Sequence, residues 1–334
     1  MSASTSTPSY DLIVVGAGIV GSALAHALST VRKPTQRALR VLLIERSLAQ
    51  PDRIVGELLQ PGGVHSLEKL GMASSLEGID AVPAYGYCVI DEDGKTVHIP
   101  YPSTEQGRSF HHGRFIMKLR EFAIKAESVD VLEGTVTGLV ESSTGRVEGV
   151  RVSVDKRETV YRAPITIVAD GCFSNLRSAV LGSNLVKSVT KSYFVGLVLE
   201  NAKLPIPKHG TVVFVKGFGP VLLYQISNSG GTNGSEETRL LIDVKGPLPE
   251  NLNVCLNSFS LSPMLTVLRS NTLSKTLSPV YQLCFRNPSS KPSKVTAYVA
   301  CPTPSFPRPH KKPKTVSSLL VMHGICGIHS PAEA

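Results

Sequence analysis

Gly16-Ala17-Gly18-Ile19-Val20-Gly21 has the spacing of a turn that holds a dinucleotide pyrophosphate. The first glycine permits the tight turn, the second lets backbone approach the phosphates, and the third lets a helix pack on a strand. The helix N-terminus then favours negative charge. Glu45 stands 24 residues beyond Gly21. There it can accept hydrogen bonds from ribose hydroxyls, which selects an adenosine without a 2′-phosphate. NAD and FAD sites share this fingerprint, so it does not separate them. The six cysteines, at 88, 172, 255, 284, 301 and 326, form neither C-x-x-C pairs nor an even grid. Neither a zinc site nor a disulfide framework is indicated, and no metal ligand is assigned. His111 and His112 are adjacent, so their side chains point apart and are read as structural.

These residues need a strand before the turn and a helix after it. Leu12-Ile13-Val14-Val15 is an apolar run entering the turn, an Ala/Leu-rich stretch continues to Ser29, and Val41-Leu42-Leu43-Ile44 is a second strand. Residues 10–46 therefore read as a βαβ unit. Phe115, Leu119 and Phe122 stand at helical spacing within an amphipathic helix over 114–126. Asp93-Gly94 separates Tyr87–Asp91 from Thr96–Ile99, and Thr144-Gly145 separates Val136–Glu141 from Val147–Val154, both hairpin signals. Ile165–Ala169 is a further apolar strand that ends at Asp170-Gly171. From Tyr193 to Val244, short strands alternate with Gly/Pro/Ser turns, the pattern of an antiparallel sheet.

With 334 residues, 42% of them hydrophobic, the chain has a sizeable core and is neither fibrous nor wholly disordered. The formal net charge of +9 lies almost entirely in the tail. Residues 1–253 carry 26 Lys+Arg against 25 Asp+Glu, whereas 254–334 carry nine against Glu333 alone. The body thus lacks the charge excess that nucleic-acid binding requires, and no nucleic-acid partner is expected. No run of about 18 apolar residues occurs, so no transmembrane segment is expected in this chain.

Two segments are more specific: Pro51-Asp52-Arg53-Ile54-Val55-Gly56-Glu57-Leu58-Leu59-Gln60-Pro61-Gly62-Gly63 and Phe110-His111-His112-Gly113-Arg114-Phe115. With Gly86-Tyr87, Ile99-Pro100-Tyr101-Pro102 and Tyr224-Gln225-Ile226-Ser227, they resemble the squalene monooxygenase (squalene epoxidase) family, from Tyr10 to about Pro249. The resemblance implies FAD as cofactor, contacted by Ile19 and Val20 in the glycine turn and by Glu45, Arg46, Arg53 and Arg114. Guanidinium groups suit a diphosphate because they give charge-assisted, often bidentate hydrogen bonds. Asp170 matches a strand-to-Asp-Gly turn that packs near the nucleotide in FAD-dependent aromatic hydroxylases and their relatives. Tyr87 and Gln60 match the tyrosine and glutamine set beside flavin and substrate, and are the expected catalytic pair.

The implied activity is O2-dependent epoxidation of squalene to (S)-2,3-oxidosqualene in sterol biosynthesis. Electrons would come from an NADPH-dependent reductase, at the endoplasmic reticulum membrane. The implied fold is α/β: a Rossmann-like FAD-binding domain of the class A flavin monooxygenase type, with an interleaved antiparallel β-sheet substrate domain. The expected divisions are a disordered 1–9, an FAD-binding domain over 10–182, part of the substrate domain over 183–253, and an irregular tail over 254–334. Two alternatives are a class A flavin monooxygenase acting on another terpenoid or aromatic substrate, and a non-catalytic truncated FAD-binding isoform.

After Asn253 the composition changes to ten Pro and no Asp, so 254–334 is expected to be disordered. The family's third nucleotide segment, Gly-Asp-Ala-x-Asn-Met-Arg-His-Pro-Leu-Thr-Gly-Gly-Gly, has no counterpart as the chain is written. Codons that can encode Leu320–Ala334, read in another frame, permit Gly-Asp-Ala-Trp-Asn-Met-Arg-His-Ser-Leu-Thr-Gly-Gly-Gly. The same shift turns Lys294–Pro307 into a second family-like stretch. Val254-Cys255 can encode a splice donor, and Arg269 can begin with an acceptor. The tail is accordingly expected to be a retained intron followed by out-of-frame translation, with FAD binding and turnover impaired.

Overall fold

The computed structural model describes residues 10–182, 192–215 and 219–245, together with the backbone of two further strands, Pro292–Ala297 and Leu319–Val321. The chain divides into two compact units. Met1–Pro51, Ile116–Ser188 and Pro304–Ala334 belong to the first, and Asp52–Phe115 and Val189–Thr303 to the second.

In the first unit, Leu12–Val15 is the central strand of a parallel sheet. Val41–Glu45 pairs on one side with Val129–Glu133 beyond it, and Ile165–Val168 pairs on the other with Leu319–Val321 beyond it. Its central strands are continuous apolar runs because both faces of the sheet are covered. Strand alternation divides the core. Leu12, Val14, Val41 and Leu43 pack with Ala25 and Ala123 on one face. Ile13, Val15, Leu42 and Ile44 pack on the other against Val136, Leu139, Val150 and Val152. Those four come from a three-stranded antiparallel sheet of Thr135–Glu141, Val147–Val154 and Arg157–Arg162. Each fully buried Val, Leu or Ile contributes roughly 1.5–3 kcal/mol over an exposed one.

The second unit is built on a seven-stranded sheet. Its order is Pro292–Ala297, Ser192–Glu200, Glu237–Lys245, Val221–Ser227, Gly210–Val213, Gly86–Ile90 and Thr96–Pro100. All neighbours are antiparallel except Gly210–Val213 and Gly86–Ile90, which run parallel. One cluster gathers Cys88, Ile90, Val195, Leu197 and Leu199, and another gathers Ile54, Val198, Leu222, Tyr224, Ile226 and Leu241. A smaller sheet joins Leu58–Leu59, Gly107–Ser109 and Val82–Ala84. Helix Pro61–Lys69 starts on a proline whose missing N–H costs nothing at that position.

The βαβ unit, both hairpins, the helix (His112–Lys125) and the antiparallel sheet occur where their patterns predict them. The division of the chain differs from the one expected. Residues 52–115 do not stay with the strands of the first unit, because Gly86–Ile90 is hydrogen-bonded into the sheet of the second unit. Within 254–334, strands 292–297 and 319–321 join the two large sheets, and the remainder of the expected tail lies outside the described residues. Cys88 is a buried free thiol, whereas Cys172 is disulfide-bonded, which the uneven cysteine spacing did not suggest.

Candidate functional site

The glycine turn is closed by contacts that exclude side chains at two of its three glycines. Gly16 has φ +100°, and a Cβ there would lie 2.6 Å from the Ala169 carbonyl oxygen and 2.8 Å from the Asp170 Cα. A Cβ on Gly21 would lie 1.8 Å from the Gly16 carbonyl oxygen. Gly18 differs, since a Cβ there meets nothing within 4 Å. Helix Ile19–Ser29 begins at Gly18 with no capping side-chain bond and no acidic residue in its first turn. An open backbone at an uncapped helix N-terminus fits a bound diphosphate.

Glu45, at the end of its strand, accepts a hydrogen bond from the Ala17 N–H through Oε2 at 2.7 Å. The carboxylate is thereby fixed beside the turn, with acceptor capacity left for ribose hydroxyls. Arg120 is a further member that sequence reasoning missed. Its Nε donates to the Ala17 carbonyl at 2.9 Å, its Nη1 donates to the Ala49 carbonyl at 3.1 Å, and its Nη2 lies 3.7 Å from Glu45 Oε2. Burial pulls its guanidinium below the ordinary arginine range, against the opposing charges of Glu45 and Glu133. The only sequence signal was an arginine four residues after the buried Ile116, on the apolar face of the helix.

Asp170 follows the strand Ile165–Val168 and backs onto Gly16. Burial pushes its carboxyl up, opposed by hydrogen bonds from Ser174 and Asn175. The structure therefore brings Gly16, Gly18, Gly21, Glu45 and Asp170 into one turn cluster, with Ile19 exposed at its rim, Val20 beside it, and Arg46 exposed one residue past Glu45.

Gln60, Tyr87, Arg53 and Arg114 belong to the second unit. The side-chain amide of Gln60 donates from Nε2 to the Tyr87 hydroxyl oxygen, and the Tyr101 hydroxyl donates to Gln60 Oε1. The two tyrosine rings meet edge to face at 89°, with centroids 6.1 Å apart. The expected pair is thus in contact, and Tyr101 joins it. Arg53 is exposed, and Arg114 Nη1 donates to the Ile79 carbonyl at 3.5 Å.

Beneath the segment that carries Gln60 lies a buried ion pair. Glu57 is 1% exposed and Arg239 4%. Arg239 Nε and Nη2 donate to the two Glu57 oxygens at 2.7 and 2.9 Å, and the Tyr224 hydroxyl donates to Glu57 Oε2 at 3.3 Å. Burial pushes the Glu57 carboxyl up against the pull of Arg239. Burial also works against the Arg239 charge, but the bonded carboxylate holds that guanidinium above its ordinary value. His111 Nε2 pairs with Glu237 Oε2 at 2.8 Å, and His112 Nδ1 sits 3.3 Å from the Gly56 carbonyl. A cavity of about 440 Å³, lined by Asn201, Lys203, Leu204, Lys208, Gln225 and Glu236 among others, includes none of the expected site residues.

Comparison with known proteins gives a consistent result. Residues 162–287 match the family model "Squalene epoxidase", a stretch that runs past Asn253. Squalene epoxidase 3 of Arabidopsis thaliana is 46% identical over 242 residues, which covers 71% of this chain and 42% of that protein. Squalene monooxygenase of Mus musculus is 42% identical over 252 residues, covering 72% and 41% respectively. The chain therefore spans about two fifths of the length of these relatives. Among solved structures, the myxobacterial FAD-dependent chondrochloren halogenase CndH superposes with a TM-score of 0.62 at 20% identity. That match covers 81% of this chain and 60% of the halogenase, a likeness of fold.

Proposed function

Because the chain carries a squalene epoxidase family domain, we propose that it is part of an FAD-dependent monooxygenase that converts squalene and O2 to 2,3-oxidosqualene. The observation that carries this reading is the 46% identity to a squalene epoxidase over 242 residues, joined to a glycine turn whose open Gly18 and fixed Glu45 suit a dinucleotide.

When bound, reduced FAD supplies the activation of O2. One oxygen atom enters the terminal alkene and the other leaves as water, with two electrons from NADPH delivered by a reductase. The protein's part is binding and orientation. The N-terminus of helix Ile19–Ser29 receives the diphosphate, Glu45 the ribose, and Arg46, Arg53 and Arg114 supply positive charge. Asp170 shapes the turn beside the nucleotide. Gln60 and Tyr87 hold a hydroxyl in fixed orientation for the reacting ligand. Squalene is supplied from lipid, so the site of action is the endoplasmic reticulum surface. Among the described residues no helix is long and apolar enough to cross a membrane.

The test is product analysis. Purified protein with FAD, NADPH, an NADPH-dependent reductase and squalene vesicles is expected to form 2,3-oxidosqualene, and omission of FAD is expected to abolish it. Oxidation of another terpenoid or of an aromatic in preference to squalene would replace this reading with the broader class A one.

A further inference from the structure

We propose that Tyr101 is a positioning residue that fixes how Tyr87 presents its hydroxyl hydrogen, acting through the side-chain amide of Gln60. The proposal deepens the reading above, and rests on it only for the identity of the ligand that Tyr87 meets.

The two ends of an amide have fixed hydrogen-bonding roles. Its oxygen only accepts and its nitrogen only donates. The Tyr101 hydroxyl, bonded to Gln60 Oε1, is therefore the donor there, and Tyr87, bonded to Gln60 Nε2, is the acceptor. One lone pair of the Tyr87 oxygen is engaged while its hydrogen is not. That hydrogen remains available to a ligand, and donating it leaves Gln60 still holding Tyr87 from behind. Burial pushes the Tyr101 hydroxyl well above its ordinary value, which keeps it protonated as the donor that sets the direction.

The backbone fixes both rings independently of these bonds. A Cβ on Gly210 would come within 2.8 Å of Tyr87 Cε1, so the glycine seats that ring. Gly86, at φ +147°, lets strand Thr96–Pro100 approach so closely that a Cβ there would be 2.4 Å from the Ile99 carbonyl oxygen. The Tyr101 N–H donates to the Tyr85 carbonyl at 2.8 Å. With both rings held, the amide is the one switchable element. Without Tyr101 nothing prevents it from rotating to accept from Tyr87, which would consume the hydrogen that a ligand needs.

The chain has nine Tyr and no Trp, so ultraviolet resonance Raman bands of tyrosine are free of indole overlap. Subtracting the Tyr87→Phe spectrum isolates Tyr87, and the same subtraction in a Tyr101→Phe background isolates it without Tyr101. The expected result is a changed Tyr87 doublet ratio, toward that of a hydrogen-bond donor, with no loss of thermal stability beyond that of removing one half-buried hydroxyl. An identical Tyr87 doublet in the two backgrounds would overturn the proposal. A kinetic arm uses squalene: Tyr101→Phe is expected to lower kcat/KM about fivefold, the equivalent of one hydrogen bond. Adding it to Tyr87→Phe should cost nothing further, whereas additive losses would mean mere packing and overturn the positioning role. A changed doublet without any turnover of squalene by the wild-type protein would leave the positioning role standing and remove the substrate assignment. Turnover with an unchanged doublet would do the reverse.

Discussion

The guanidinium of Arg239 grips the carboxylate of Glu57 through two parallel bonds of 2.7 and 2.9 Å, across 182 residues of sequence. Three residues beyond Glu57 stands Gln60, so this pair ties the segment carrying the expected catalytic amide to the large sheet. Removing one partner leaves the other buried and uncompensated. Arg239→Ala is therefore expected to destabilise the protein by about 3–5 kcal/mol. Glu57→Gln leaves the Arg239 cation buried without its carboxylate and should cost a comparable amount. Urea denaturation of both variants measures this, and a loss under about 1 kcal/mol for Arg239→Ala would mean that water reaches the site.

Two of the turn glycines, Gly21 and Gly18, are expected to respond differently to alanine. Gly21→Ala puts a methyl into the Gly16 carbonyl and should both unfold the turn and abolish flavin binding. Gly18→Ala meets open space and should leave the melting temperature nearly unchanged while weakening FAD, since the methyl enters the room left for phosphate. FAD titrations followed by flavin fluorescence, with melting curves beside them, decide the point. Equal FAD affinity of wild type and Gly18→Ala would remove the diphosphate from this turn.

Asp11 carries a pH signature. Its carboxylate accepts bonds from Lys33, from the Arg40 N–H at 2.9 Å and from Arg37 Nη2 at 3.0 Å. Burial raises its pKa, but those bonds outweigh it and hold the group at about 2. A folded-state value below the ordinary one, near 3.9, means stability that is fully present above about pH 4 and lost as pH falls toward about 2. Asp11→Asn should cost about 1 kcal/mol at neutral pH, and the gap to wild type should close across that window. A gap that stays constant from pH 7 to pH 2 would assign the effect to packing.

The composition change after Asn253 also makes a prediction, at the level of the messenger. If residues 254–334 arise from a retained intron, cDNA across codons 250–272 will include a shorter species that restores the Gly-Asp-Ala-x-Asn-Met-Arg segment. Its product should bind FAD more tightly than the present chain. Finding one transcript with no spliceable interval there would make the tail a native part of this protein.

The glycine turn was legible in sequence because its signals are local: three glycines, an apolar strand on each side and an acid at a set distance. The same holds for the Asp-Gly and Thr-Gly hairpins. Arg120 was not legible, because a charged residue on an apolar helix face gives no hint that two carbonyls and a carboxylate await it. Glu57 and Arg239 could not be paired from a spacing of 182 residues. Tyr101 stood inside the family-like segment Ile99-Pro100-Tyr101-Pro102, yet its bond to Gln60 depends on how Gly86 draws two strands together. That residues 52–115 belong to the second unit was not legible for a related reason. It depends on parallel pairing between Gly86–Ile90 and Gly210–Val213, a long-range contact that leaves no periodic trace.

The most direct test of the account is the fate of isotopic oxygen. With FAD, NADPH, a reductase, squalene and oxygen gas enriched in the heavy isotope, the account predicts 2,3-oxidosqualene bearing one labelled atom, and labelled water as the second product. Flavin-loaded protein that leaves squalene unchanged, or an epoxide whose oxygen comes from water, would contradict it.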